Sequence, residues 1–171
     1  MIDKFSQITK KLGVFPMCKI TNQKLVQNNT FVGSGVGKTN NSNNNIFIGC
    51  GVDGTGSQNT SIGGSGNGTY NVNVGYESGG NNLSGNYNTV IGGNAHCSAT
   101  QSSSNVAIGF SAGQANLNSN NLFIGYQSGK CSATSSNVTL IGTNAGQQSN
   151  GVSSFIAIGA NAGFSNCGNS N

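Results

Sequence analysis

The stretch NVAIGFSAG (105–113) returns as NLFIGYQSG (121–129) and again as FIAIGANAG (155–163). In each copy an apolar run reaches Ile-Gly, and a second Gly follows four residues later. Sliding this frame along the chain on the dipeptide Ile-Gly or Val-Gly finds nine copies. Their glycines are Gly33, Gly49, Gly63, Gly75, Gly92, Gly109, Gly125, Gly142 and Gly159, in steps of 16, 14, 12, 17, 17, 16, 17 and 17 residues. Self-similarity at so short a period marks a solenoid, in which each coil buries its apolar side only by resting on its neighbours.

The residue before each glycine is Val32, Ile48, Ile62, Val74, Ile91, Ile108, Ile124, Ile141 or Ile158, always apolar and β-branched. Two residues earlier stand Thr30, Ile46, Thr60, Val72, Thr89, Val106, Leu122, Thr139 and Ile156. Between these columns the character scatters, from Phe47 and Phe123 to Ser61, Asn73 and Ala107. A constant-variable-constant alternation is a short strand with one face in and one face out. The constant Ile/Val column is expected to supply the core, because β-branched apolar residues suit a buried strand position.

Two further columns are geometric. Four residues before the glycine, Asn29, Asn45, Asn59, Asn71, Asn88, Asn105 and Asn121 are placed to hydrogen-bond from coil to coil. Val138 and Phe155 take that place in the last two coils, which predicts a small bulge there. Four residues after the glycine come Gly37, Gly79, Gly113, Gly129, Gly146 and Gly163, with Asp53, Asn67 and His96 in the other three copies. Asn, Asp and His are the non-glycine residues most tolerant of positive φ, so all nine are expected to share one left-handed turn. The residue before that turn is small in most copies (Ser78, Ala95, Ala112, Ser128, Ala145, Ala162), as a tight corner requires.

The expected fold is therefore all-β, a parallel β-solenoid of about nine coils over residues 28–171. At the usual strand spacing of about 4.8 Å the stack is a rod on the order of 40 Å long. So slender a rod has a thin core. Phe31, Phe47, Tyr76, Phe110, Phe123 and Tyr126 flank the corner and are expected on its outer face. A column of exposed aromatics suggests lateral contact, and three rods about one axis, a homotrimer, would bury it. Residues 1–27 fall outside the repeat. Ile2, Phe5, Ile8 and Leu12 are spaced for one helix face, with Gly13 and Pro16 as a stop, so this part is expected to cap the first coil or mediate assembly. The C-terminal SNCGNSN shows no cap-like pattern, which adds the expectation of head-to-tail stacking into a filament.

Composition narrows function. Gly, Asn and Ser fill 80 of 171 positions, charged residues are 6%, and Arg is absent. The net charge of +4 resides in residues 1–27, and the repeat region is neutral. A neutral, amide-coated surface without Arg has no basic stripe for nucleic acid. No apolar run approaches the roughly 20 residues of a membrane-spanning helix. The N-terminal MIDKFSQITKKLGVF alternates apolar and charged residues, unlike a secretory signal peptide. Cys18, Cys50, Cys97, Cys131 and Cys167 include no C-x-x-C pair, so neither a zinc site nor a disulfide framework is expected.

No catalytic or cofactor motif is sustained by its neighbours. GCGVDGTG (49–56) lacks the Gly-Lys-Ser/Thr ending of a phosphate loop, and calcium-binding repeats need an Asp in each coil. His96 with Cys97 invites a catalytic pair, but adjacent residues on a turn point apart, and CSAT recurs at 131–134 behind Lys130. Hexapeptide-repeat acyltransferases also carry Ile-Gly-x-x-Ala coils with a His base, yet their six-residue recurrence is not sustained here. No enzyme activity and no cofactor are expected.

The repeats quoted above resemble the head repeats of trimeric autotransporter adhesins, and related repeats in phage tail fibres and large-virus surface proteins. The resemblance covers about 28–171. It implies a left-handed β-roll, association of three chains, and a surface that binds a host glycan, matrix component or cell-surface protein. The chain differs from the adhesins in lacking their signal peptide, stalk heptads and membrane anchor, which turns the expectation toward a virion or extracellular appendage. Three functions follow: a structural fibre component, a receptor- or glycan-binding head, and an ice-binding solenoid. A ligand patch would break the repeat, and the irregular stretch 50–88 is where to look. Ice binding needs a regular Thr array, which Thr30, Thr60, Thr89 and Thr139 do not make.

Overall fold

A computed structural model describes residues 27–165, apart from 65, 66, 82, 83 and 99. The expected N-terminal cap and the C-terminal tail beyond 165 lie outside the described residues, Gln27 excepted. Nine three-residue strands follow one another: β1 (Thr30–Val32), β2 (Ile46–Ile48), β3 (Thr60–Ile62), β4 (Val72–Val74), β5 (Thr89–Ile91), β6 (Val106–Ile108), β7 (Leu122–Ile124), β8 (Thr139–Ile141) and β9 (Ile156–Ile158). They form one parallel sheet whose spatial order is the chain order. This is the all-β parallel solenoid expected, without a helix among the described residues. The sequence frame is also the physical register: Val32 pairs with Ile48, Ile48 with Ile62, and Ile141 with Ile158.

The core is inverted with respect to expectation. The residue that points inward is the variable middle one: Phe47, Ser61, Val90, Ala107, Phe123 and Leu140 are fully buried, and Asn73 and Ala157 nearly so. The expected core column faces outward instead. Val32, Ile62, Ile91 and Ile158 are exposed, and Ile48, Val74, Ile108, Ile124 and Ile141 are half-buried. The reason is width. A three-residue strand that turns its middle side chain inward must turn both flanking ones out. The aromatic column divides for the same reason. Phe47 and Phe123 lie inside, with Phe31 half-buried and stacked on Phe47 at 5.5 Å, whereas Tyr76, Phe110 and Tyr126 remain outside.

Scatter in the middle column is compensated by the corner. A Cβ on Gly113 would lie 2.5 Å from the Phe123 ring, and one on Gly129 would strike the same ring from the other side. Gly37 gives way to Phe31, Gly146 to Leu140 and Gly163 to Phe155 in the same manner. The corner glycines thus leave room for large strand residues as well as turning the chain. Phe123→Ala, which empties a fully buried site, is expected to cost about 4 kcal/mol in a denaturant melt. A loss below about 1 kcal/mol would show that the coil collapses to fill the space.

Seven of the nine expected corner residues have the shared geometry: Gly37, Gly79, His96, Gly113, Gly129, Gly146 and Gly163 have φ between 50° and 65°. Asp53 and Asn67 do not. The coils they occupy advance by only 14 and 12 residues, too few for the full corner, and the left-handed positions there are Gly51, Gln58, Gly63, Gly68 and Tyr70. Both side chains instead tie neighbouring coils together. The Thr39 amide donates to the Asp53 carboxylate at 2.9 and 3.1 Å, and the Thr55 amide to Asn67 Oδ1 at 3.1 Å.

The asparagine column forms the expected coil-to-coil ladder, chiefly from side chain to backbone. Each Oδ1 accepts the next coil's amide, from Asn45 N to Asn29 at 2.9 Å through to Val138 N to Asn121 at 3.0 Å. The Nδ2 groups satisfy turn carbonyls, as Asn88 does at Ser102 (2.9 Å). A buried amide paired on both sides adds order without an unsatisfied group. No bulge marks the last two coils. Val138 and Phe155 keep the register, are buried, and convert the amide column into apolar core.

Candidate functional site

Three places carry chemistry or an interaction surface. The first is the outer face of the sheet. Its two outward columns, Thr30 to Ile156 and Val32 to Ile158, run the whole length of the nine strands in strict register. Ile156 and Ile158 are each 66% exposed, and Ile46, Ile62, Val72 and Ile91 also face solvent. A shallow groove of about 450 Å³ follows the same face along β6–β8, between Ser104, Val106, Leu122 and Thr139. Monomeric proteins rarely leave so continuous an apolar strip uncovered.

The second is His96. Its backbone occupies the left-handed corner (φ 50°), its ring is fully buried, and Nε2 lies 2.7 Å from Ser102 Oγ. Nδ1 makes no hydrogen bond of good geometry. Burial pushes the imidazole down to about 4, opposed by the Gly113 backbone. A ring sealed from solvent and held neutral is a corner filler, with no access for a substrate to reach it.

That burial has a pH signature. The folded-state value lies below the unfolded one of 6.5, so the unfolded chain takes up the proton first as pH falls. Stability is full above 6.5 and is lost progressively between 6.5 and 4, by up to about 3 kcal/mol. His96→Asn, which tolerates the same φ without titrating, is expected to flatten the thermal midpoint across that interval. An equally steep fall in the variant would place the acid sensitivity elsewhere.

The third is a notch of about 370 Å³ on the side of the rod, where the repeat is shortest. Cys50, Gly64, Tyr76, Glu77, Asn81 and Cys97 are among its lining residues, and all of its lining but Cys97 falls within the irregular stretch 50–88. Tyr76 is 72% exposed, and the neighbouring Glu77 carboxylate holds its phenol proton above its ordinary pKa. Glu77 itself sits at φ 54°. It belongs to a left-handed column two residues after the repeat glycine, with Asn94, Ser111, Gln127, Asn144 and Asn161, which the sequence frame did not single out. The signal was present as a run of polar residues at that offset.

Among the described cysteines, Cys50 and Cys131 are exposed thiols and Cys97 is half-buried. Among the described residues no three His, Cys, Asp or Glu side chains converge on a metal-sized site, and no helix is long and apolar enough to cross a membrane. Comparison with family models, curated proteins and solved structures gave no match.

Proposed function

We propose that the chain is a non-enzymatic structural protein, a trimeric β-solenoid that forms or decorates a fibre on a virus particle or similar extracellular assembly. One observation carries this reading: the unbroken apolar strip along the outer face of all nine strands. The two columns of that strip are unequal, one wholly Ile/Val and one mixed with Thr. Packing the first column of one rod against the second column of the next is a heterologous contact, and a narrow face allows it to close after three copies. The neutral amide coat of Asn, Ser and Gly elsewhere resists nonspecific charge binding. Each end of the stack has a strand, β1 or β9, with one ladder edge unpaired among the described residues, through which trimers would join head to tail.

Negative-stain micrographs of the full chain test this. Short rods with three-lobed end views are the supporting result, and single thin rods would reject it. An ice-binding role is weaker, because outward Thr30, Thr60, Thr89 and Thr139 are interrupted by Ile46, Val72, Val106, Leu122 and Ile156.

A further inference from the structure

The steps of 14 and 12 residues before Gly63 and Gly75 are followed by 17-residue steps, so the short coils lack wall that their neighbours possess. The notch opens on these coils, with Gly51, Val52, Gly63 and Gly64 of the short ones among its lining residues. It coincides with a change in the interior. The apolar cluster of Val36, Phe47 and Val52 ends there, the cluster that starts at Val90 lies beyond it, and Ser61 and Asn73 are the inward residues between. A repeat optimised only for stacking would keep one coil length and one apolar interior.

We propose that this notch is a binding site for a single neutral saccharide ring. Tyr76 presents an open aromatic face, on which the apolar C–H side of a sugar stacks. Glu77 accepts from sugar hydroxyls, and the exposed Asn81 amide offers both donor and acceptor. Gly63, Gly64 and Gly80 also line the notch and present backbone there. The volume of about 370 Å³ suits one ring with part of a second. Among the described residues neither Lys38 nor Lys130 lines the notch, which disfavours an anionic sugar, and Glu77 is the only acidic residue that does. A simple cation would use that carboxylate but leave the Asn81 donors idle. The lining residues all lie outside the nine strands, so the site does not require the trimer.

The test is titration of the ¹⁵N-labelled full chain with methyl glycosides of glucose, galactose and mannose, and separately with tetramethylammonium chloride. At least one glycoside is expected to shift the amides of Gly63, Gly64, Gly80 and Asn81, saturating with a Kd on the order of 1 mM. Tyr76→Ala and Glu77→Gln should each weaken it about tenfold, while Tyr76→Phe retains most of the binding and guards against a folding defect in the alanine variant. The same shifts should appear in an Ile124→Glu chain, which separates this site from association through the sheet face. Absence of glycoside shifts at these amides overturns the proposal, as do shifts with tetramethylammonium alone or undiminished binding by folded Tyr76→Ala.

Discussion

Gly125→Ala is expected to lower the stability of the rod by more than about 3 kcal/mol, and to unfold the coils on either side of β7 first. Gly125 has φ 129°, well beyond the left-handed well that other residues reach. A Cβ there would lie 2.5 Å from the carbonyl oxygen of Gly142 in the next coil. Neither strain can relax, because Gly125 N donates to Ile108 O at 2.8 Å and Gly142 N to Ile124 O at 2.7 Å. Gly51→Ala is the matched control. It also has positive φ (68°), but an added Cβ meets nothing within 4 Å, so only the local cost of about 1 kcal/mol should remain. Urea unfolding followed by circular dichroism compares the two. Equal losses would show that backbone strain alone, and not the stacked glycine contact, limits this position.

Ile124→Glu is expected to leave each rod folded and to weaken association at least about 100-fold. Ile124 lies in the outward column and is half-buried in the single rod, so a carboxylate there stays hydrated in an isolated chain. Between rods it would be stripped of water with no cation on the sheet face to meet it, since the strand residues carry no Lys. Ile124→Thr keeps the β-branch and the neutrality, and should associate far more closely to wild type than the glutamate variant does. Sedimentation velocity over a dilution series reads both variants. Undiminished association in the glutamate variant would move the contact off this face.

How far the sequence foretold this molecule depends on which column is asked. Ile/Val-Gly gave the register of all nine strands because a Gly at φ 127–139° admits no other residue at most of those coils. Facing was legible as alternation but not in sign. A constant apolar column suggests a core, yet here constancy belongs to the flat outer surface, while the interior varies because Phe123 and Leu140 are accommodated by Gly113, Gly129 and Gly146 one coil at a time. His96 is legible as a corner substitute, since one residue fixes its own φ. Asp53 and Asn67 are not legible in this way, since their backbone is set by the length of a coil rather than by their own preference. The notch was visible only as a shortened step. That Tyr76 and Glu77 meet at its mouth depends on how the short coils turn, which residue identity alone does not specify.

The claim that holds these parts together is that the outward Ile/Val columns are covered by copies of the same chain. Sedimentation equilibrium of the wild-type protein measures it without a mutation. A mass of three times the 17.2 kDa chain, or of multiples of that trimer at higher concentration, is the result the account requires. A single species at the mass of one chain across the whole concentration range would contradict it.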